Sequence, residues 1–189
     1  DMSYKNELVV SLLEKANRHA QNGETEKLDK VIQDIKATYQ DEASAIIHCG
    51  DSELDATDPI WEGINVVRGN CDFDTLFAES LVLSADQAQI FVTHGHLYGV
   101  NFGLSQLTDA AQKSGCQLAL FGHLHTPIAT VEQDILCLNP GSVAQPRGQY
   151  KTKMYAKVDI TKDAYVISYM DLAHQPIANL QFRLARSSQ

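Results

Sequence analysis

At 189 residues and 44% hydrophobic content, the chain can bury a sizeable core as one domain, so no disulfide framework is required. Its net charge of −9 excludes the Lys/Arg field on which broad nucleic-acid binding depends, and an acidic chain that handles phosphate needs a cation to offset its own carboxylates. Cys49, Cys71, Cys116 and Cys137 include no Cys-x-x-Cys pair; with no signal peptide and no apolar run near the ~20 residues that span a bilayer, a cytoplasmic protein with no membrane partner is expected.

From Lys5 to about Gln21, Leu8, Val9, Leu12, Leu13 and Ala16 recur at helical spacing, which predicts an amphipathic helix. Asn22-Gly23 breaks it. Thr25 then caps a second helix whose apolar stripe is Leu28, Val31, Ile32 and Ile35, ending near Tyr39. Ala43 to Ile47 reads as a buried strand stopping at His48-Cys49-Gly50-Asp51, with His48 a packed strand-end residue. After a loop with a helical turn at Ile60 and Trp61, Ile64 to Val67 forms a short strand tipped by Arg68-Gly69-Asn70-Cys71-Asp72. Leu81 to Ser84 and Gln89 to Thr93 read as a hairpin ending in His94-Gly95-His96. Leu104 to Lys113 is helical, closed by Gly115. Leu118 to Phe121 is a strand that delivers Gly122-His123-Leu124-His125. Strands at Ile128 to Glu132 and Ile135 to Leu138 lead to Asn139-Pro140-Gly141-Ser142, and Met154 to Ile160 pairs with Ala164 to Asp171. The tail after Leu172 has weak periodicity and reads as an irregular surface segment.

Strand, polar loop, helix or strand, repeated, is the pattern of a layered α/β domain, whose sites lie at strand ends. Four of the seven histidines fall into two His-x-His pairs at such ends, and residues two apart on an extended backbone point the same way. Imidazoles, a carboxylate and an amide oxygen make a donor set suited to Mn, Fe, Zn, Co or Ni, and no thiolate cluster suggests a closed structural zinc site. An aspartate can bridge two cations, and a pair of metals about 3.5 to 4 Å apart can activate water for in-line attack on a phosphoester.

Gly50-Asp51, Gly69-Asn70-Cys71-Asp72, Thr93-His94-Gly95-His96, Gly122-His123-Leu124-His125 and Asn139-Pro140-Gly141-Ser142 occur in the order and spacing of the calcineurin-like metallophosphoesterases. More narrowly, the chain resembles the small bacterial YfcE-type phosphodiesterases, from about Ala43 to Ile160. The resemblance implies a four-layer α/β/β/α sandwich, single domain over 1–189, with 1–42 as an atypical helical opening and 43–160 as the motif-bearing core. It implies a dinuclear centre with two divalent metal ions, Mn²⁺ foremost, and Ni²⁺, Fe²⁺, Zn²⁺ or Co²⁺ also suited. Asp51 would bridge the metals; Asn70, His94 and His123 would complete one, and His125 would bind the other. Cys71 stands where many relatives carry an acid histidine, so Asp72, His96 or water would assist the leaving group. Asn70, Asp72 and His96 are thus the candidate catalytic residues.

The family opens with a buried strand running into Asp-x-His. Here no opening strand is evident, so Asp1, the segment Asn17-Arg18-His19 or a segment upstream would supply that motif, with His19 read as a solvated helix residue. The expected activity is a metal-dependent phosphodiesterase acting on a small phosphoester. The alternatives are a phosphomonoesterase or nucleotidase, or a non-catalytic protein-binding scaffold, as in the retromer subunit that resembles these enzymes. Arg147, on the loop beyond Asn139 to Ser142, could reach a phosphate, although a lone loop arginine is more often a surface residue. Pairing of exposed strands or helices would give a homo-oligomer, though no stretch names an interface.

Overall fold

The run Leu8-Val9-Val10 forms a strand, β1 (Glu7–Ser11), rather than the opening turns of a helix. The computed structural model describes residues 7–11, 22–85 and 88–187; the rest of the expected first helix, residues 12–21, lies outside the described residues, as do Asp1 and His19. β1 pairs in parallel with β2 (Ala45–His48) and antiparallel with β9 (Met154–Ile160), which places it inside the sheet. Leu8 and Val10 pack into the space between the two sheets, and Val9 packs on the other face with the first helix. A strand this short, apolar on both faces, carries no alternation to distinguish it from a helix segment.

The first sheet runs β11-β10-β9-β1-β2-β3, adding β3 (Asn65–Val66), β10 (Ala164–Asp171) and β11 (Pro176–Ala185). The second runs β4-β5-β6-β8-β7, from β4 (Ser80–Ala85), β5 (Ala88–Thr93), β6 (Leu118–Leu120), β7 (Pro127–Glu132) and β8 (Ile135–Pro140). Between them lie Ile47, Val67, Ile90, Val92, Leu118, Leu120, Leu136, Leu138 and Ile167, all buried. Helix α1 (Asn22–Tyr39), which begins ahead of Thr25, covers the first sheet through Ile32, Ile35 and Tyr39 against Ile46 and Tyr155. Helix α2 (Ser105–Lys113) covers the second through Leu107 and Ala111 against Phe91, Ala119 and Cys137. The layers are therefore α/β/β/α, as expected. Tyr169 ties the sheets together: its buried hydroxyl lies 3.0 Å from the Ile128 carbonyl and 2.6 Å from that of Asn139, and shares one hydrogen between them.

The segment after Leu172 is the second correction. It forms β11, ten residues paired antiparallel with β10 at the edge of the first sheet. Its apolar residues change phase, from Ile177 to Leu180, Phe182 and Leu184, because Asn179 takes φ 68° and the register shifts between Ser168 and Met170. A bulge of this kind moves the alternating pattern by one residue, so period-two reading sees only weak periodicity. Among the described residues, no helix is long and apolar enough to cross a membrane.

Candidate metal centre

β1, β2 and β3 run parallel within one sheet, and β5, β6 and β8 run parallel within the other, so each set sends its C-terminal tips to one edge. The tips of β2, β3, β5, β6 and β8 carry the five motif loops, and Asp51 of the first sheet meets His94 of the second with Oδ2 3.0 Å from Nε2.

On the first sheet, Asp51 sits in the left-handed region at φ 62°, just after Gly50 at φ 101°. A Cβ at Gly69 would stand 1.9 Å from Asp51 Oδ1, so only glycine lets the neighbouring loop close over this carboxylate. The Cys71 backbone N–H donates to the same Oδ1 at 2.9 Å. Asp72, buried, clasps both loops. Its Oδ2 accepts from the backbone N–H groups of Asp51 at 2.8 Å and Gly69 at 2.6 Å, and its Oδ1 from that of Glu53 at 2.7 Å. The Asp72 carboxylate is thereby committed to loop geometry. Asn70 is exposed, and its amide nitrogen reaches Cys71 Sγ at 3.6 Å.

On the second sheet, the Gly122 N–H donates to the His94 carbonyl at 2.9 Å, and the Asn139 amide donates to the Gly122 carbonyl at 2.7 Å. Three successive strand tips are locked together by these bonds. His123 and His125 both take positive φ, 66° and 56°, a conformation that non-glycine residues hold only where surrounding contacts impose it. The His94 ring stands 5.1 Å from that of His123 and 5.2 Å from that of His96, and His94 Nδ1 is 3.1 Å from His96 Nδ1. His125 Nδ1 donates to the Gln145 carbonyl at 2.9 Å, which leaves Nε2 as the lone-pair nitrogen. This is the outer hydrogen bond that orients ligating histidines. Asn101 contacts His123 Nε2 at 3.4 Å. Sequence reasoning missed Asn101 and Gln145, since a surface asparagine and a backbone carbonyl carry no spacing signal.

Charge follows burial. Burial is the strongest influence on Asp51 and pushes its pKa up, but the adjacent His94 ring, the Cys71 N–H and His125 together hold it below the usual carboxylate value. His125 is pushed down to about 4, chiefly by burial, against the raising effect of the Gln145 carbonyl. Burial first, then the neighbouring His94, also lowers His96 and His123. An anionic carboxylate beside neutral imidazoles is the protonation state in which all are donors to a cation. His48 is excluded from the set. Its Nδ1 accepts the Gly50 N–H at 3.1 Å, its ring packs edge-on against Trp61 at 5.2 Å, and burial drives its pKa down to about 3.

Among the described residues, no three His, Cys, Asp or Glu side chains gather tightly enough to hold a metal ion as they stand. The donor chemistry fits a divalent cation nonetheless. His94 Nε2 is buried and makes no aligned hydrogen bond, although the Asp51 carboxylate is 3.0 Å away. Two ligands at right angles about a metal at ~2.1 Å stand about 3 Å apart, so this pair, which is not aligned as a hydrogen bond, also has the spacing of neighbouring donors on one cation. Asp51, His94 and His123 are brought together around the His94 ring, and His96 joins them there.

The strand expected before the first motif is present as β1, and Asp1 precedes it in the chain instead of following it. In sequence, Ser11 is followed by Leu12-Leu13-Glu14, where the resemblance implies Asp-x-His.

Comparison with known proteins agrees with this fold. The chain is 38% identical over 157 residues to the probable metallophosphoesterase YsnB of Bacillus subtilis (strain 168), covering 83% of this chain and 92% of that one. It is 33% identical over 90 residues to the phosphodiesterase YfcE of Escherichia coli (strain K12), covering 43% and 45% of the two chains. The solved structure of a conserved uncharacterized protein from Streptococcus pneumoniae TIGR4, a predicted phosphoesterase, superposes with a TM-score of 0.87 at 33% identity, covering 96% and 98%. Residues 19–163 match the calcineurin-like phosphoesterase superfamily domain, and with both sheets and all five motif loops in place the chain belongs to that superfamily.

Proposed function

We propose that the chain is a metal-dependent phosphodiesterase. The observation that carries this reading is the buried His94 Nε2, 3.0 Å from the Asp51 carboxylate and without a hydrogen bond. A buried polar atom left unpaired costs about 1–3 kcal/mol, an expense a fold keeps where a ligand will satisfy it. In this reading Asp51, Asn70, His94 and His123 hold one divalent cation, Mn²⁺ foremost, and His125 with Asp51 holds a second. When bound, such cations act as Lewis acids toward a phosphoryl oxygen and generate a nucleophile from water at neutral pH.

The chain's own groups then orient and assist. Arg147, whose backbone N–H donates to the His125 carbonyl at 2.9 Å, brings a guanidinium whose charge lowers the pKa of both His123 and His125. It is suited to orienting a phosphoryl oxygen. Of the two leaving-group candidates, His96 is preferred over Asp72. The carboxylate of Asp72 is occupied by three backbone N–H groups, whereas His96 lies beside His94 as a neutral imidazole able to donate a hydrogen bond.

The test is hydrolysis of a generic aryl phosphodiester, with the matching monoester in parallel, titrated with Mn²⁺ from a chelator-treated start. Saturable turnover with the diester faster supports the reading; a faster monoester shifts it to phosphomonoesterase. Bound Mn²⁺ is counted in the same samples, with two per chain expected of a dinuclear centre. A second reading, a protein-binding scaffold, is favoured by one observation, the Leu12-Leu13-Glu14 that follows β1 in place of Asp-x-His. It requires no turnover at any Mn²⁺ concentration.

A further inference from the structure

Six large apolar side chains are exposed among the described residues, and they divide into two kinds. Val82 and Val131 lie on β4 and β7, the two edge strands of the second sheet, where one face meets solvent. Phe73 (62% exposed), Leu76 (74%), Leu97 (51%) and Phe102 (96%) lie instead on loops, and every one of those loops also carries a residue of the site. Phe73 follows Asp72, Leu97 follows His96, and Phe102 follows Asn101, which touches His123. Asp51 connects the first two loops, since its backbone N–H donates to the Asp72 carboxylate at 2.8 Å and its own carboxylate lies 3.0 Å from His94 Nε2. The His96 and His123 rings, 6.4 Å apart, connect the third.

We propose that Phe73, Leu76, Leu97 and Phe102 form an apolar lip that receives the uncharged, flat organic group of the phosphoester, so that the preferred substrates carry an aromatic ring on the phosphoryl group. The proposal rests on the phosphoester-hydrolase reading and names its substrate class. At 96% exposure Phe102 contributes almost nothing to the core, so its apolar surface is open to a bound group. Two phenylalanines give a ring faces and edges to stack on, and such contact outside the reacting centre holds the phosphoryl group in place. A second copy of the chain is the less suited occupant, because each copy carries a net charge of −9 and a neutral ring carries none.

The test uses binding to the Mn²⁺-loaded full chain, which does not depend on turnover. Phenylphosphonate and methylphosphonate are titrated by calorimetry against the unaltered chain and the Phe73→Ser/Phe102→Ser variant, with Mn²⁺ content and sedimentation measured on both. The unaltered chain is expected to bind phenylphosphonate roughly tenfold more tightly, the scale of one good aromatic contact. In the variant that ratio falls to near one, with methylphosphonate affinity and Mn²⁺ content unchanged. Equal affinities in the unaltered chain, no binding of either phosphonate, or a ratio that survives the substitutions overturns the proposal. So does a dimer that the substitutions dissolve, which assigns the lip to a second copy. Tight, lip-dependent binding without any phosphoester turnover would sustain the lip while refuting the hydrolase reading.

Discussion

Two histidine networks lie on this fold, and their contrast sets a structural histidine against the candidate ligands. His174, in the turn between β10 and β11, has a partner on each nitrogen: Tyr155 hydroxyl 2.7 Å from Nδ1, and Asp34 carboxylate 2.9 Å from Nε2, with Thr38 hydroxyl at 3.3 Å. Tyr155 hydroxyl in turn bonds Tyr39 hydroxyl, so the chain of contacts fastens α1 to the first sheet. Burial, then the bond to Tyr39, raises the Tyr155 pKa, which keeps that hydroxyl protonated. At the candidate metal centre, by contrast, His94 leaves Nε2 without a hydrogen bond at 3.0 Å from a carboxylate. Backbone conformation does not make the distinction, since His174 at φ 60° is as left-handed as His123 at φ 66°. Completeness of hydrogen bonding does, because a satisfied network rigidifies while an unsatisfied buried group carries a cost that a ligand would relieve.

The largest effect expected from breaking this contrast is at the open network. His94→Ala or Asp51→Ala should lower Mn²⁺-dependent phosphodiester turnover by about 10³-fold or more, since removing a ligand removes the group that stabilises transition-state charge. Steady-state rates at saturating Mn²⁺ test it, and full activity in either purified variant defeats the assignment. Asp72→Ala comes next. Three backbone N–H donors lose their acceptor together, and at least two serve the Asp51 and Gly69 backbone, so stability should fall by about 3 kcal/mol and activity with it. Urea unfolding of the variant measures the first, and an unchanged midpoint would show that the clasp is dispensable. At the closed network, His174→Ala should cost about 1–2 kcal/mol while leaving kcat and KM as they were. A loss of turnover there, at a temperature where the variant is folded, would break the division between the two networks.

Most of the fold was legible because its strands are bounded by ligand-rich or turn-rich loops. β9 and β10 have the bounds that alternation predicts, Met154 to Ile160 and Ala164 to Asp171. β1 was not, because Leu8 and Val10 face one apolar layer and Val9 another, so the strand shows no period of two and joins the helical spacing of Leu12 and Leu13. β11 was masked by its phase change at Asn179. At the candidate site, the strand-tip loops that bring Asp51, His94 and His123 together were readable from their spacing. The second tier was not. Nothing in the order of residues announces that Gln145 offers its carbonyl to His125, or that Asp72 spends its oxygens on loop N–H groups. Such contacts depend on which loops meet, and that is decided by the parallel pairing of distant strands.

His48 offers the smallest and sharpest test of the division, because it sits at a strand tip beside the site yet has the partners of a structural residue. Its folded pKa of about 3 lies below the ordinary 6.5, so the unfolded chain takes up a proton in this range that the folded chain refuses. The stability that depends on a neutral His48 is therefore fully present above pH 6.5 and is lost progressively as pH falls toward 3, at up to about 1.4 kcal/mol per pH unit. His48→Asn keeps an acceptor for the Gly50 N–H and removes the titration, at the cost of the ring contact with Trp61. The variant should be about 1 kcal/mol less stable than the unaltered chain near pH 7.5, and the order should reverse by about 1 kcal/mol at pH 5. Urea midpoints at the two pH values decide it: parallel losses in both proteins would mean that some other buried group governs the acid limb, and a change in metal-dependent turnover would move His48 from the packing to the site.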